Sequence, residues 1–170
     1  MRPTTFAVAL AAAISVPVVM ADTKVDWDAD VSHDRYRTFD AREGTPLSNP
    51  LAMLRIRQAI ASYLVHRGLA EDDEAPDVVV VVHASVTPDR PLNLDGYGER
   101  SNAWSTPLAD LGEIDAGTLV VDLVDPETGV LVWRAVATGA VTNNPTKNRK
   151  KIDKVIARMF RRFPPEPPRK

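Results

Sequence analysis

Five consecutive valines, Val78 to Val82, lie between Asp77 and His83-Ala84-Ser85-Val86, and nothing else in the chain narrows its fold as much. β-Branched side chains favour strands, and alternate residues of a strand face opposite sides. A run that is apolar at every position therefore needs cover on both faces where it begins. The chain must build a sheet with this strand inside it. There is no cysteine, so neither a disulfide framework nor a thiolate metal site can hold that sheet, and a packed core has to. At 170 residues and 44% hydrophobic content, the chain suits one globular domain plus a removable or irregular part, and two large domains are excluded.

The other elements follow from spacing. Lys24 to Asp28 and Tyr36 to Ala41 read as two strands joined by an acidic turn. Asn49-Pro50 is a helix start, with a capping side chain followed by proline at the first helical position. Met53, Ile56, Ile60 and Leu64 form an apolar stripe along that helix. Gly68 ends it, with Leu69 folding back on Leu64. The segment Glu71-Asp72-Asp73-Glu74 reads as an acidic connector to the valine strand. Thr118–Asp125 and Val130–Val141 make a hairpin around the turn Pro126-Glu127-Thr128-Gly129, the glycine supplying a positive φ. Asn144-Pro145 repeats the helix-start signature, and Ile152, Val155, Ile156, Met159, Phe160 and Phe163 recur at helical steps. Pro164-Pro165 ends this second helix and begins an extended, proline-rich tail over 164–170. Residues 87–116 carry no periodicity over about thirty positions, beyond the usual ~12–15 of a structureless loop, so they hold short strands or a functional loop. Two amphipathic helices are too few to cover both faces of a doubly wound sheet. The expected class is α+β, a mixed or mainly antiparallel sheet with both helices on one face.

Residues 1–21 have the pattern of a secretory signal: Arg2, an apolar run from Phe6 to Val19, and Val19-Met20-Ala21 before the cleavage point. The run is short of a ~20-residue span and Pro17 interrupts it. Asp22 stands where a lipoprotein would need cysteine. The expectation is a periplasmic chain starting at Asp22, with no lipid anchor and no transmembrane helix after cleavage. Its charge is uneven: residues 22–143 carry 10 Lys and Arg against 21 Asp and Glu, whereas 144–170 carry 10 against 2.

Gly117-Thr118-Leu119-Val120-Val121-Asp122-Leu123-Val124-Asp125, Thr128-Gly129, Leu131-Val132-Trp133-Arg134 and the basic helix ending Phe160-Arg161-Arg162-Phe163-Pro164-Pro165 together resemble the domain-of-unknown-function family DUF4136. The likeness extends to Tyr36-Arg37-Thr38-Phe39, Asn49-Pro50-Leu51 and Pro76-Asp77-Val78, spanning 22–163 as a single domain. It implies an exported bacterial envelope protein with an α+β domain, and it brings no catalytic residues.

The residues themselves point the same way. Asp26, Asp28 and Asp30 have the one-three-five spacing of a calcium loop, but Val31 replaces the required glycine and Arg37 the bidentate glutamate. His33, His66 and His83 lack an i, i+4 partner for zinc and read as surface or packed histidines. No Gly-x-Ser-x-Gly elbow is present, and Gly96-Tyr97-Gly98 is too short to cradle phosphate. Trp133 and Arg134 must point to opposite faces of one strand. Trp133 reads as core, while Asp122 on the facing strand can pair with or flank Arg134, depending on register, a cross-strand ion pair being worth ~0.2–1 kcal/mol. No cofactor or metal is implied. The functional expectation is a non-catalytic envelope accessory or binding domain. The alternative is a hydrolase using the 87–116 loop, near Glu99, Arg100, Ser101 and Ser105. The candidate surface is a basic ridge, Lys147, Lys150, Lys151, Lys154, Arg158, Arg161 and Arg162, toward an anionic envelope partner. An exported protein is not expected to bind nucleic acid.

Overall fold

The structure, a computed structural model, describes residues 22–45, 47, 49–85, 117–139 and 145–165, and of 145–150 the backbone alone. The elements in chain order are β1 (Thr23–Trp27), a 3-10 turn (His33–Arg35), β2 (Thr38–Glu43), α1 (Pro50–His66), β3 (Ala70–Glu71), β4 (Val78–Ser85), β5 (Thr118–Val124), β6 (Leu131–Ala137), α2 (Pro145–Met159) and a closing 3-10 turn (Phe160–Arg162). The six strands form one sheet in the order β1-β6-β5-β4-β2-β3. It is mixed: β2 runs parallel to both β3 and β4, and the remaining pairs are antiparallel. The valine strand β4 lies inside the sheet, as its composition requires.

Both helices pack on one face. Met53, Ile56, Ile60 and Leu64 of α1 and Ile152, Val155, Ile156 and Met159 of α2 share a core with Val78, Val80, Val82, Leu119, Val121, Leu123, Trp133 and Ala135. The strand residues alternate along β4 and β5, so one parity of each faces the helices. Phe160 closes this core, stacked on Trp133 with centroids 4.8 Å apart, and Phe163 meets the same indole edge-on at 5.6 Å. The sequence reading of Trp133 as core holds.

Local signals explain the helix ends. The Asn49 side chain accepts the Ala52 N–H at 3.2 Å. Gly68 takes φ 95°, and the Leu69 N–H bonds to the Leu64 carbonyl at 3.1 Å, which returns the buried Leu69 to the core. In the hairpin, Asp125 Oδ1 accepts the N–H groups of Glu127 and Thr128 while Gly129 takes φ 67°. Several boundaries differ from the sequence reading: β1 and β2 run Thr23–Trp27 and Thr38–Glu43 rather than Lys24–Asp28 and Tyr36–Ala41, and the last helix gives way to a 3-10 turn at Phe160 before reaching Pro164. β6 ends at Ala137, before Gly139 at φ 63°, rather than at Val141. The acidic connector begins with a short strand, β3, because Ala70 and Glu71 lie beside Thr38 and Phe39 once Gly68 has turned the chain. Asn144, the 87–116 segment and the proposed signal at 1–21 lie outside the described residues. Among the described residues no helix is long and apolar enough to cross a membrane.

Candidate functional site

The sheet face away from the helices carries the opposite parity of the same strands: Val79, Val81, His83 and Ser85 of β4, Thr118, Val120 and Asp122 of β5, and Arg134 and Val136 of β6. All are buried except Val81, which is half-buried. An ionised side chain in such a place is tolerated when paired and hydrogen-bonded. Asp122 and Arg134 stand opposite each other in register. Arg134 Nε donates to Asp122 Oδ1 at 2.6 Å and its Nη2 to Oδ2 at 2.7 Å, a two-pronged pair. Asp122 is fully buried and Arg134 is 7% exposed. The register therefore brings this pair together, but in a buried site, so the ~0.2–1 kcal/mol of an ordinary cross-strand pair does not apply.

His83 lies diagonally across from Asp122, with Nε2 3.8 Å from Oδ2, beyond hydrogen-bond range. Its Nδ1 accepts the Thr45 N–H at 3.0 Å, and the Thr45 hydroxyl lies at the same distance. Because a backbone N–H can only donate, Nδ1 must be unprotonated, and the neutral ring carries its proton on Nε2. Burial lowers the His83 pKa below the ordinary value, the Asp122 charge raises it in part, and the Arg134 charge lowers it again. The segment that supplies Thr45 passes close to the ring: a Cβ on Gly44 would fall 2.3 Å from His83 Cε1. Glycine is needed there for approach, and the Gly44 N–H is anchored on the Val82 carbonyl at 2.9 Å.

The other candidates are placed as follows. His33 is buried and donates from Nε2 to the Val132 carbonyl at 2.8 Å, and burial is the largest effect lowering its pKa. His66 is exposed at the end of α1. Asp26 accepts the Trp27 N–H and Asp28 the Asp30 N–H, each at 3.0 Å, so these carboxylates shape the turn after β1. Among the described residues no group of three or more His, Cys, Asp or Glu is placed to hold a metal ion. Glu99, Arg100, Ser101 and Ser105 lie outside the described residues, as do the side chains of Lys147 and Lys150. Of the remaining ridge residues, Lys151 and Arg158 are half-buried, while Lys154, Arg161 and Arg162 are exposed.

The described residues also line surface clefts, three of which bear on the charged groups. One, about 550 Å³, lies at the hairpin end, lined by Arg35, Tyr36, Asp77, Asp125 and Glu127 among others, with Arg35 ion-paired to Asp125. A second, about 420 Å³, runs between α1 and the β2–β3 edge beside Glu71, Asp72 and Asp73. The third, about 380 Å³, lies at the β1 edge beside Arg158, Arg161 and Arg162.

The sequence reading missed His83 and Gly44 as a unit. A usable signal was present, since His83 shares strand parity with Val79 and Val81 in a strand too apolar to leave a face in water.

No curated protein matches the chain. Among solved structures it resembles a PDZ domain protein from Parabacteroides distasonis, with 15% identity, a TM-score of 0.58 and coverage of 86% of this chain. It spans only 36% of that protein's chain. It also resembles two PelC dodecamers from Paraburkholderia phytofirmans, at 12% and 11% identity, each with a TM-score of 0.51 and coverage of 83% of this chain and 95% of theirs. At these identities the likeness is one of fold. The family described as a domain of unknown function, DUF4136, matches residues 23–165, nearly the whole chain, and the chain belongs to that family.

Proposed function

We propose that the protein is exported, loses residues 1–21, and serves the cell envelope as a non-catalytic accessory or binding domain whose basic side recognises an anionic partner. The supporting observation is how its polar groups are divided. Asp122 is engaged by Arg134, and His83 by Thr45, inside the sheet face they help to hold. Lys154, Arg161 and Arg162 are exposed instead. A hydroxyl, imidazole and carboxylate acting together in catalysis need the carboxylate to stabilise the imidazolium. Here the Arg134 guanidinium already compensates the Asp122 charge, and the imidazole is biased toward its neutral form. The hydrolase alternative rests on the 87–116 loop, which lies outside the described residues.

The reading is tested with vesicles of phosphatidylcholine containing about 30% phosphatidylglycerol, an anionic stand-in for an envelope surface. The purified protein should co-float with them at low salt and lose that association when Lys150, Lys151 and Lys154 are replaced by Gln, with thermal stability little changed. Surface charge attraction is screened over ~10 Å at 0.1 M salt, so raising the salt should release the wild type as well. Binding that ignores both changes contradicts the proposal. Export is checked by intact mass: the mature chain should begin at Asp22, and recovery with residues 1–21 retained would refute it.

A further inference from the structure

We infer that the protein associates with copies of itself edge to edge, the basic β1–α2 edge of one copy seating against the acidic β2–β3–α1 edge of the next. The inference rests on the reading above, that the basic side works by binding, and it names the partner. The sheet order sets β1 and β3 at opposite ends, so the two edges are different surfaces of one molecule.

Each edge pairs an apolar centre with charge of one predominant sign. At the β1 end, the cleft has Val25, Trp27 and Met159 beside Arg158, Arg161 and Arg162, with Asp22 also on its wall. At the far end, Glu71, Asp72 and Asp73 flank a groove floored by Phe39, Leu54 and Ala61, and Asp40 beside them is ion-paired to Arg42. Arg57 also lines that groove, but its guanidinium donates to the Ala41 carbonyl and so faces the sheet edge. The groove continues onto an unusually apolar stretch of helix surface. Leu51, Leu54 and Val65 are 63%, 47% and 52% exposed, and with Gln58 and Ala61 they follow at three- and four-residue steps, one stripe of α1. Isolated exposed apolar residues need no explanation, whereas an aligned stripe beside an acidic rim has the make-up of an interface.

Charge decides the geometry. Two acidic edges repel one another, as do two basic ones, while an acidic edge attracts a basic edge. The favoured contact is therefore heterologous, and because each copy keeps one free edge of each sign, it propagates into a ring or a filament.

The test is sedimentation velocity on the purified protein from about 10 to 300 µM, where mass action resolves weak association, at about 50 mM salt and again at about 0.5 M. Two charge reversals probe the edges separately: Arg161→Glu with Arg162→Glu, and Glu71→Lys with Asp73→Lys. All four side chains are exposed, and circular dichroism verifies the fold. Wild type should gain mass with concentration at low salt and lose it at high salt, a result independent of any variant. Each reversal alone should weaken association at least about tenfold, and an equimolar mixture of the two should restore it, since opposite charges again face each other. A wild type that stays monomeric throughout, reversals without effect, or a mixture that stays apart would overturn the inference. A monomer that still binds anionic vesicles would overturn self-association alone, whereas loss of both would remove the underlying reading too.

Discussion

Replacing Asp122 by Asn removes one charge from the Asp122–Arg134 pair and leaves the other buried. The carboxylate is fully buried, the guanidinium 7% exposed, and both prongs of the pair are at or below 2.7 Å. Two unit charges about 4 Å apart interact by ~4 kcal/mol at an effective dielectric of about 20. Removing one partner of a buried pair typically costs ~3–5 kcal/mol because the survivor is uncompensated. The two routes agree, and the loss is a large share of a typical total stability of 5–15 kcal/mol. With a urea slope of about 2 kcal/mol per molar, the unfolding midpoint should fall by roughly 2 M. The Arg134→Met variant should lose a similar amount. The double variant Asp122→Leu with Arg134→Met should lie closer to wild type than either single one, since no lone charge is left. Urea unfolding followed by far-ultraviolet dichroism measures all three. Single variants that cost under ~1 kcal/mol, or a double variant whose loss is the sum of the singles, would refute the reasoning, because the pair would then be solvated.

Three other perturbations probe the same face and the core. His83 and His33 are both held below the ordinary pKa of about 6.5, chiefly by burial. The unfolded chain thus binds more protons between the folded and unfolded pKa values, and stability should be complete above pH 6.5 and decline as pH falls through the lowered values. His83→Asn, whose amide oxygen can still accept the Thr45 N–H, should flatten part of that decline in urea midpoints between pH 5 and 7.5. An unchanged slope would show that His83 does not contribute to it. Gly44→Ala drives a methyl to 2.3 Å from His83 Cε1. It should cost ~1–3 kcal/mol as overpacking and shift the His83 ring resonances, and a neutral result would mean the segment does not approach the ring. Phe160→Ala empties a fully buried site stacked on Trp133 and should cost ~3–5 kcal/mol, where a loss below ~1 would place the ring in solvent.

Much of the fold was legible because local chemistry and tertiary packing agree. The Asn49 cap and Pro50 start, the Met53 to Leu64 stripe and the Gly129 turn are each set within a few residues, and each is present. β3 was not legible. It is two residues long, and its pairing with β2 depends on where Gly68 directs the chain rather than on any propensity of Ala70 or Glu71. The candidate site divides along the same line. Asp122 and Arg134 could be matched from the hairpin alone, because a turn of known length nearly sets their register. His83 and Thr45 are separated by 38 positions and meet only because β2 lies parallel to β4, a topology that periodicity does not encode. The two charged edges depend on strand order across the whole sheet. The sequence showed the charge asymmetry along the chain but not its division between opposite ends.

In the proposed function, the buried polar groups hold the sheet and the charged surface binds the partner. The folded Asp122→Leu, Arg134→Met variant tests it most directly, through its association with phosphatidylglycerol-containing vesicles across a salt titration. The account predicts that this variant binds as wild type does and is released at the same salt concentration, since the exposed Lys154, Arg161 and Arg162 are untouched. A variant that remains folded yet no longer binds would contradict it, and would identify the Asp122–Arg134 cluster as the working site.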